Sequence, residues 1–482
     1  MTDLLESTTG AAVADRATEA TDAAPAAPPE TATGLPPSEI AELRARWAAD
    51  PVARVAVNAL ARTPLRDVAL NRSVVTALDH SFSVTVDDEW LTTHQHETGR
   101  CWIFAALNLF RSRARTVLGV KDLQLSQSFV SYWDKLERAN WFLTTLAETA
   151  REYDDGDRTL DLLLAEPVPD AGQWDMLVNI VTRHGLVPTA AMPDTCGAAD
   201  TRQLNRVLDS LLRHGGLRIR GLVRSGADPA QVDAVRREVL ATVHRVLTAV
   251  LGNPPESFDW QWRDADGAFH RDGPTTPREF AARYLGLDLS RYVSLVNDPR
   301  TPDLETYTVD RLGNMVGGAG VRYLNVPAAV MADAAVASLR AGEPVWFGCD
   351  ASKAWRTDVG IMDPAVYDLG ALFGWDGAEV PSDRRARLVA RDSQLTHAML
   401  FTGVDLVPGP DGTDVARRWR VEDSYGPEPG RKGFHLMTHD WFTEHLYEVV
   451  VRRDRLPADV RAALGGEPVV LPLWDPMGAL AD

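Results

Sequence analysis

Cysteine is nearly missing from this chain: 482 residues hold three, Cys101, Cys196 and Cys349. An odd and sparse set does not frame a disulfide-stapled fold. Lysine is almost as rare, with only Lys121, Lys135, Lys353 and Lys432, so arginine supplies most of the 50 basic residues that face 68 acidic ones. The resulting formal charge of −18 leaves no basic face for nucleic-acid phosphates or for an anionic membrane surface. No apolar run reaches the roughly 20 residues that a membrane-spanning helix needs. The N-terminus carries Asp3 and Glu6 where a secretory leader has a basic segment, and no apolar core follows. A reducing, cytoplasmic setting fits. No His/Cys/carboxylate spacing suggests zinc and no glycine-rich loop suggests phosphate, so neither metal nor cofactor is expected.

Length alone allows two to four structural units. Residues 1 to about 37 are rich in Ala, Thr, Pro and acidic side chains and are expected to be a disordered tail. The stretch Ile40 to Ala61 has helical spacing, opened by Pro37 and Ser38. A nearly all-apolar helix should start at Cys101 and run out to charges at Arg111, Arg113 and Arg115. Further helices are predicted from Ser126 to about Ala150, from Gln173 to Arg183, and over most of 200–250; residues 253–280, with Pro254, Pro255, Gly267, Gly273 and Pro274, read as loop. After about residue 340 the pattern turns to strand. The domain reading is therefore a tail (1–37) and one unit (38–482). That unit holds helical insertions within about 140–340, a β-rich lobe at about 341–460 and a C-terminal arm at about 465–482.

The chemistry concentrates at Gln95-His96-Glu97-Thr98-Gly99-Arg100-Cys101-Trp102. A cysteine at the head of a helix is favoured as a thiolate, and an upstream glutamine can supply a donor to an oxyanion. The segments 398–404 and 417–421 flank Pro408-Gly409-Pro410-Asp411-Gly412, which is a hairpin signal. The midpoint of His397 and Asp423 falls at 410, inside that turn, so antiparallel pairing brings an imidazole and a carboxylate to the same end of the hairpin. Taken singly, each residue has a plainer reading: Cys101 as a small core residue, His397 as a structural histidine, Asp423 as a turn former. Together they point to nucleophilic catalysis by a thiol. Cys196 and Cys349 lack such surroundings and read as structural.

The motifs resemble the bleomycin hydrolase and aminopeptidase C family of papain-like cysteine peptidases, from about Asn71 to the C-terminus. They include Gly99-Arg100-Cys101-Trp102, Leu125-Ser126-Gln127-Ser128 and Gly172-Gln173-Trp174-Asp175. Later come Asp310-Arg311-Leu312-Gly313-Asn314-Met315, Trp346-Phe347-Gly348-Cys349-Asp350, Thr396-His397-Ala398-Met399 and the ending Trp474-Asp475-Pro476-Met477-Gly478. The resemblance implies an α+β, papain-like fold of two lobes, helical and β-barrel, with long helical insertions. It makes Cys101 the nucleophile, His397 the base, Asp423 the orienting group, and Gln95 with the Cys101 N–H the oxyanion hole. It also implies a homohexamer acting on peptides with free N-termini, whose amine is read by the terminal carboxylate at Ala481 and Asp482.

Four positions depart from that family: Asp423 stands for Asn, Tyr425 for Trp, His94 for Asn, and the chain runs one residue past the usual final Ala to Asp482. The expected activity is a cysteine aminopeptidase that trims short peptides. The alternatives are a weakened relative serving as an oligomeric peptide-binding scaffold, and an amide hydrolase or acyl-transfer enzyme specialised for one compound. An arm lying across Cys101 also suggests that the enzyme trims Asp482 itself.

Overall fold

The computed structural model describes residues 34–86, 91–286, 288–375, 383–410 and 412–478. Ala481, Asp482 and almost all of the 1–37 tail lie outside the described residues. The described residues fall into two compact units that divide between Thr63 and Pro64. In the first, the helical stretch is two helices, Pro37–Ala49 and Pro51–Leu60. Pro51 has no N–H to continue a helix, and Asp50 sits extended and accepts from Val52 N at 2.8 Å, capping the second.

In the second unit the predicted helices form close to their predicted bounds: Cys101–Leu118, Gln127–Glu148, Trp174–His184, Arg202–Arg224 and Pro229–Leu251. Ser126 caps its helix by accepting from Phe129 N at 3.1 Å, an interaction of about 1 kcal/mol. The Cys101 helix buries ten consecutive residues from its start, and Arg111 stays buried too. Its guanidinium pairs with the buried carboxylate of Glu422 and donates to Leu91 O at 2.9 Å.

Among the described residues there are fourteen strands. They are β1 (Val84–Thr85), β2 (Phe258–Arg263), β3 (Phe269–Thr275), β4 (Tyr292–Val296), β5 (Thr306–Val309), β6 (Tyr323–Asn325) and β7 (Val345–Cys349). The rest are β8 (Trp355–Arg356), β9 (Ile361–Met362), β10 (His397–Pro408), β11 (Asp414–Glu422), β12 (Phe434–Thr438), β13 (Leu446–Arg452) and β14 (Val469–Leu471). Twelve form one mixed sheet in the order β14-β5-β6-β4-β13-β7-β10-β11-β12-β9-β8, with β1 added on β10. This sheet draws β4, β5 and β6 from the interval read as helical insertion. Its centre is buried on both faces. Trp346, Ala398, Leu400 and Tyr447 pack into the cluster that contains the Cys101 helix, and the alternate residues Phe347, Cys349, Met399 and Phe401 pack into a second cluster with Trp419 and Trp441. The period of two along β7 and β10 thus divides two cores.

Residues 253–280 are not a loop. They form the β2–β3 hairpin and a short helix, Pro277–Phe280. The breakers mark its turn and its bulge, Gly267 lying in the turn and Gly273 beside the register shift. Phe258, Trp260 and Trp262 alternate along β2, and Trp260 packs edge-on against Phe280 at 5.1 Å. That aromatic period of two was the strand signal, outweighed in the sequence by Gly and Pro.

Candidate active site

Cys101 is the first residue of its helix and is fully buried. The turn before it is tied down from inside. Thr98 Oγ1 donates to Gln95 O at 2.6 Å, and Gln95 Nε2 donates to Thr98 O at 2.5 Å. Gly99 N donates to Asp170 Oδ2 at 3.2 Å, and Trp102 Nε1 to Asp170 O at 2.7 Å. Asp170 is itself held by Lys135 Nζ at 2.7 Å, Asn205 Nδ2 at 3.1 Å and the Thr201 hydroxyl. Burial opposes its ionisation, but the Lys135 charge and these donors hold its carboxyl below the usual carboxylate range. Gly172 must be glycine, because a Cβ there would lie 2.6 Å from the Trp102 indole.

The histidine arrives on the first residue of β10, paired across β7 with Cys349. The strands close with Pro408 opposite Asp414, one residue past the turn midpoint read from the sequence. Two register shifts further along β10–β11 cancel, and continuing from Leu400 opposite Glu422 brings position 397 level with 425, two residues from where the turn midpoint put it. The side chains still meet. His397 Nε2 lies 2.9 Å from Asp423 Oδ1, and Tyr425 stacks on the imidazole at 5.3 Å. Trp355 stacks in turn on Tyr425 at 6.2 Å. The His–Asp contact is therefore covered, with His397 4% and Asp423 2% exposed. The tyrosine does not leave the contact open.

With Nε2 engaged by Asp423 at 2.9 Å, Nδ1 is the imidazole nitrogen left for Cys101. Burial works against the imidazolium. The Cys101 charge and the hydrogen bonds to Asp423 and Cys101 outweigh it and raise His397 well above the usual histidine value. Burial likewise opposes ionisation of Asp423, and the hydrogen bond and charge of His397 overcome it, holding the carboxyl low. The arrangement favours a charged imidazolium beside the Asp423 carboxylate.

Gln95 reaches the same place through Ser424. Ser424 Oγ donates to Gln95 Oε1 at 2.6 Å, and Gln95 N donates to Ser424 O at 2.7 Å. Gly426 N donates to Thr93 O at 2.9 Å, continuing the tie. A side chain at Gly426, where φ is +81°, would meet the His94 ring at 2.7 Å. One residue upstream of Asp423, Glu422 accepts from Asn108 Nδ2 at 3.0 Å and pairs with Arg111, fastening β11 to the cysteine helix. Gln95, Cys101, His397 and Asp423 are thus brought together.

Asp170, Ser424, Asn108 and the Arg111–Glu422 pair were not singled out in the sequence. Asp170 stood two residues before the Gly172-Gln173-Trp174 motif and Ser424 directly after Asp423, but neither position carries a chemical signature by itself. Cys349 is buried, as a structural residue should be, whereas Cys196 is exposed. Past β14 the chain is anchored. Asp475 Oδ1 accepts from Arg300 Nη2 at 2.8 Å, Trp474 O accepts from Arg391 Nη1 at 3.0 Å, and Met477 O accepts from the Tyr323 hydroxyl at 3.2 Å. Among the described residues no group of three or more His, Cys, Asp or Glu side chains could hold a metal ion, and no helix is long and apolar enough to cross a membrane.

Known proteins resemble this chain over most of its length. Human bleomycin hydrolase is 39% identical over 94% of this chain and 100% of that protein. Aminopeptidase C of Listeria innocua is 40% identical over 81% of this chain and 86% of that protein. The crystal structure of PepW from Lactobacillus rhamnosis superposes with a TM-score of 0.89 at 36% identity, covering 93% of this chain and 99% of that one. The fold is accordingly α+β and papain-like. The Peptidase C1-like family profile matches residues 34–478, which contain the cysteine, the histidine and every group that orients them, so the chain belongs to the Peptidase C1-like family.

Proposed function

We propose that this protein is a cysteine aminopeptidase that removes N-terminal residues from short peptides through an acyl-enzyme on Cys101. The observation that carries the reading is a buried His397 held 2.9 Å from Asp423 Oδ1, with a buried Cys101 at the head of its helix acting on the same imidazole. In the acylation step the Cys101 thiolate attacks the scissile carbonyl. The resulting oxyanion is received by the Cys101 backbone N–H and the free Nε2 hydrogen of Gln95. The His397 imidazolium gives its proton to the leaving amine, then takes one from water for deacylation. Asp423 holds the ring and favours its charged form.

Relatives named bleomycin hydrolase and aminopeptidase C support the exopeptidase reading and peptides as substrates. The anchoring of 474–477 supports a C-terminal arm whose last residues, Ala481 and Asp482, read the substrate amine. A hexamer and a cytoplasmic location belong to the same proposal, the three free thiols being consistent with a reducing compartment. The scaffold alternative was motivated by Asp423, Tyr425 and Asp482; the first two make contact with His397, which favours activity, and Asp482 lies outside the described residues.

The test compares fluorogenic aminoacyl amides with free and acetylated amines, for wild type and Cys101→Ala. Turnover of free-amine substrates only, lost in the variant together with labelling by an epoxysuccinyl inhibitor, is expected. No turnover of any free-amine substrate and no labelling would overturn the reading. A narrow preference for one compound would favour the specialised amide hydrolase.

A further inference from the structure

His435 lies on β12 opposite Val421, and its side chain is 1% exposed. Trp355 Nε1 donates to His435 Nδ1 at 3.3 Å. An imidazole that accepts at Nδ1 carries its proton on Nε2 when neutral. That Nε2 lies 3.8 Å from Asp423 Oδ2, and neither atom has a hydrogen-bond partner of normal length. A buried donor and a buried carboxylate oxygen thus lie near each other, each without a hydrogen-bond partner, while the other oxygen of Asp423 serves His397. We propose that His435 is a positioning residue for the thiol chemistry: its Nε2–H carries the second oxygen of Asp423, so that an ionised aspartate can orient His397. The inference rests on the catalytic reading of Cys101, His397 and Asp423.

The physical need is specific. A buried carboxylate with one oxygen lacking a donor is pushed toward its protonated form, and protonated Asp423 would no longer favour the imidazolium. A fixed cation beside Oδ2 would satisfy the oxygen but compete with His397 for the charge. A neutral imidazole supplies a donor without a second positive charge. Burial lowers the basicity of His435, and the His397 charge adds to this, while Asp423 works the other way. The remaining ionisable neighbours are His80, whose own charge is disfavoured by burial and by Arg431, and Arg431 beside it.

The pairing also predicts incompatibility. The family that this chain resembles has Asn in the place of Asp423. In an Asp423→Asn variant that keeps its amide oxygen on His397, the amide nitrogen would point at the His435 Nε2–H, donor against donor. Moving the His435 proton to Nδ1 relieves that contact and sets it against the Trp355 N–H instead. An apolar residue at 435 suits asparagine at position 423, and a donor suits the native Asp423.

The experiment measures pH profiles of kcat/KM and thermal midpoints for wild type, His435→Leu, His435→Gln, Asp423→Asn, and Asp423→Asn combined with His435→Leu, with Cys101→Ala as the blank. The Gln amide nitrogen can stand where Nε2 stands, so His435→Gln should keep the wild-type profile. His435→Leu should lower kcat about tenfold with KM little changed, and should move the acid limb up by about one pH unit as Asp423 loses its donor. In the Asp423→Asn background the same Leu substitution should keep or raise activity and leave the acid limb in place. Equal losses in both backgrounds, no loss with Asp423, or a Gln variant as impaired as Leu would each overturn the proposal. If His435→Leu fails to fold, the Gln variant and the double variant decide. A Cys101→Ala protein that retains activity refutes the catalytic reading itself. An inactive one, with no coupling between 423 and 435, refutes only the role of His435.

Discussion

Ser424 holds Gln95 by both main chain and side chain: Ser424 Oγ donates to Gln95 Oε1 at 2.6 Å, and Ser424 O accepts from Gln95 N at 2.7 Å. The residue next to Asp423 therefore sets the position of the glutamine assigned to the oxyanion, and the two halves of the site are linked without passing through Cys101. With Oε1 taken by the serine hydroxyl, the amide must turn its Nε2 hydrogens away, one of them to Thr98 O.

Removing that donor should affect the chemical step. Gln95→Ala is expected to lower kcat by roughly 10²–10³-fold with little change in KM, the range found for a lost oxyanion donor. Ser424→Ala should give a smaller loss of the same kind, since it frees the amide to rotate. Steady-state kinetics on one aminoacyl amide would check both, and a change mainly in KM would argue against this placement.

The charges predict the pH profile. His397 is raised above the ordinary histidine value, so its imidazolium survives past neutrality and is lost as pH rises through the folded-state value. Asp423 is depressed, so its contribution is present above the unfolded carboxylate value and fades as pH falls through the lower folded one. Activity should therefore persist from mildly acidic to alkaline pH. Asp423→Asn removes the charge and should pull the alkaline limb down by about one pH unit. An unchanged alkaline limb in that variant would show that the carboxylate does not act on His397.

Lys135→Met should act at a distance. It leaves the buried Asp170 carboxylate without its cation, and breaking such a pair costs about 3–5 kcal/mol. Because Asp170 holds the Gly99 N–H just ahead of Cys101, the surviving folded fraction should also turn over more slowly. Calorimetry with active-site titration separates the two effects, and a wild-type melting midpoint would contradict the account.

Gly172→Ala should be damaging although alanine favours helix and strand interiors over glycine. The added Cβ falls on the Trp102 indole, whose Nε1 is fixed by Asp170 O, so the ring has little freedom to yield. A loss of about 1–3 kcal/mol on thermal or denaturant unfolding is expected from overpacking.

The C-terminus can be read directly by mass. If the arm lies across Cys101 with one residue beyond Ala481, purified wild type should lack Asp482 and Cys101→Ala should keep it. Intact-protein mass spectrometry decides, and retention of Asp482 in both would end the self-trimming idea.

The sequence by itself determined the local elements and the candidate reacting groups. Helices at Cys101, Gln127, Trp174, Arg202 and Pro229 follow from apolar spacing, caps and breakers, which act within a few residues. Cys101, His397, Asp423 and Gln95 could be named because a thiol at a helix head and an imidazole at a hairpin end carry chemistry in their residue types and local positions. Even there, the hairpin closes with Pro408 opposite Asp414, one residue past the midpoint read from the sequence, which moves the partner of position 397 by two. Only the tertiary structure decided what lies beside those groups. Asp170, Ser424, Arg111 with Glu422, and His435 are ordinary residues in their own segments. They acquire meaning when segments far apart in the chain pack together, because a buried charge or donor must find its partner wherever the fold brings one within reach. The candidate thiol was legible in the chain. The groups packed around it were not.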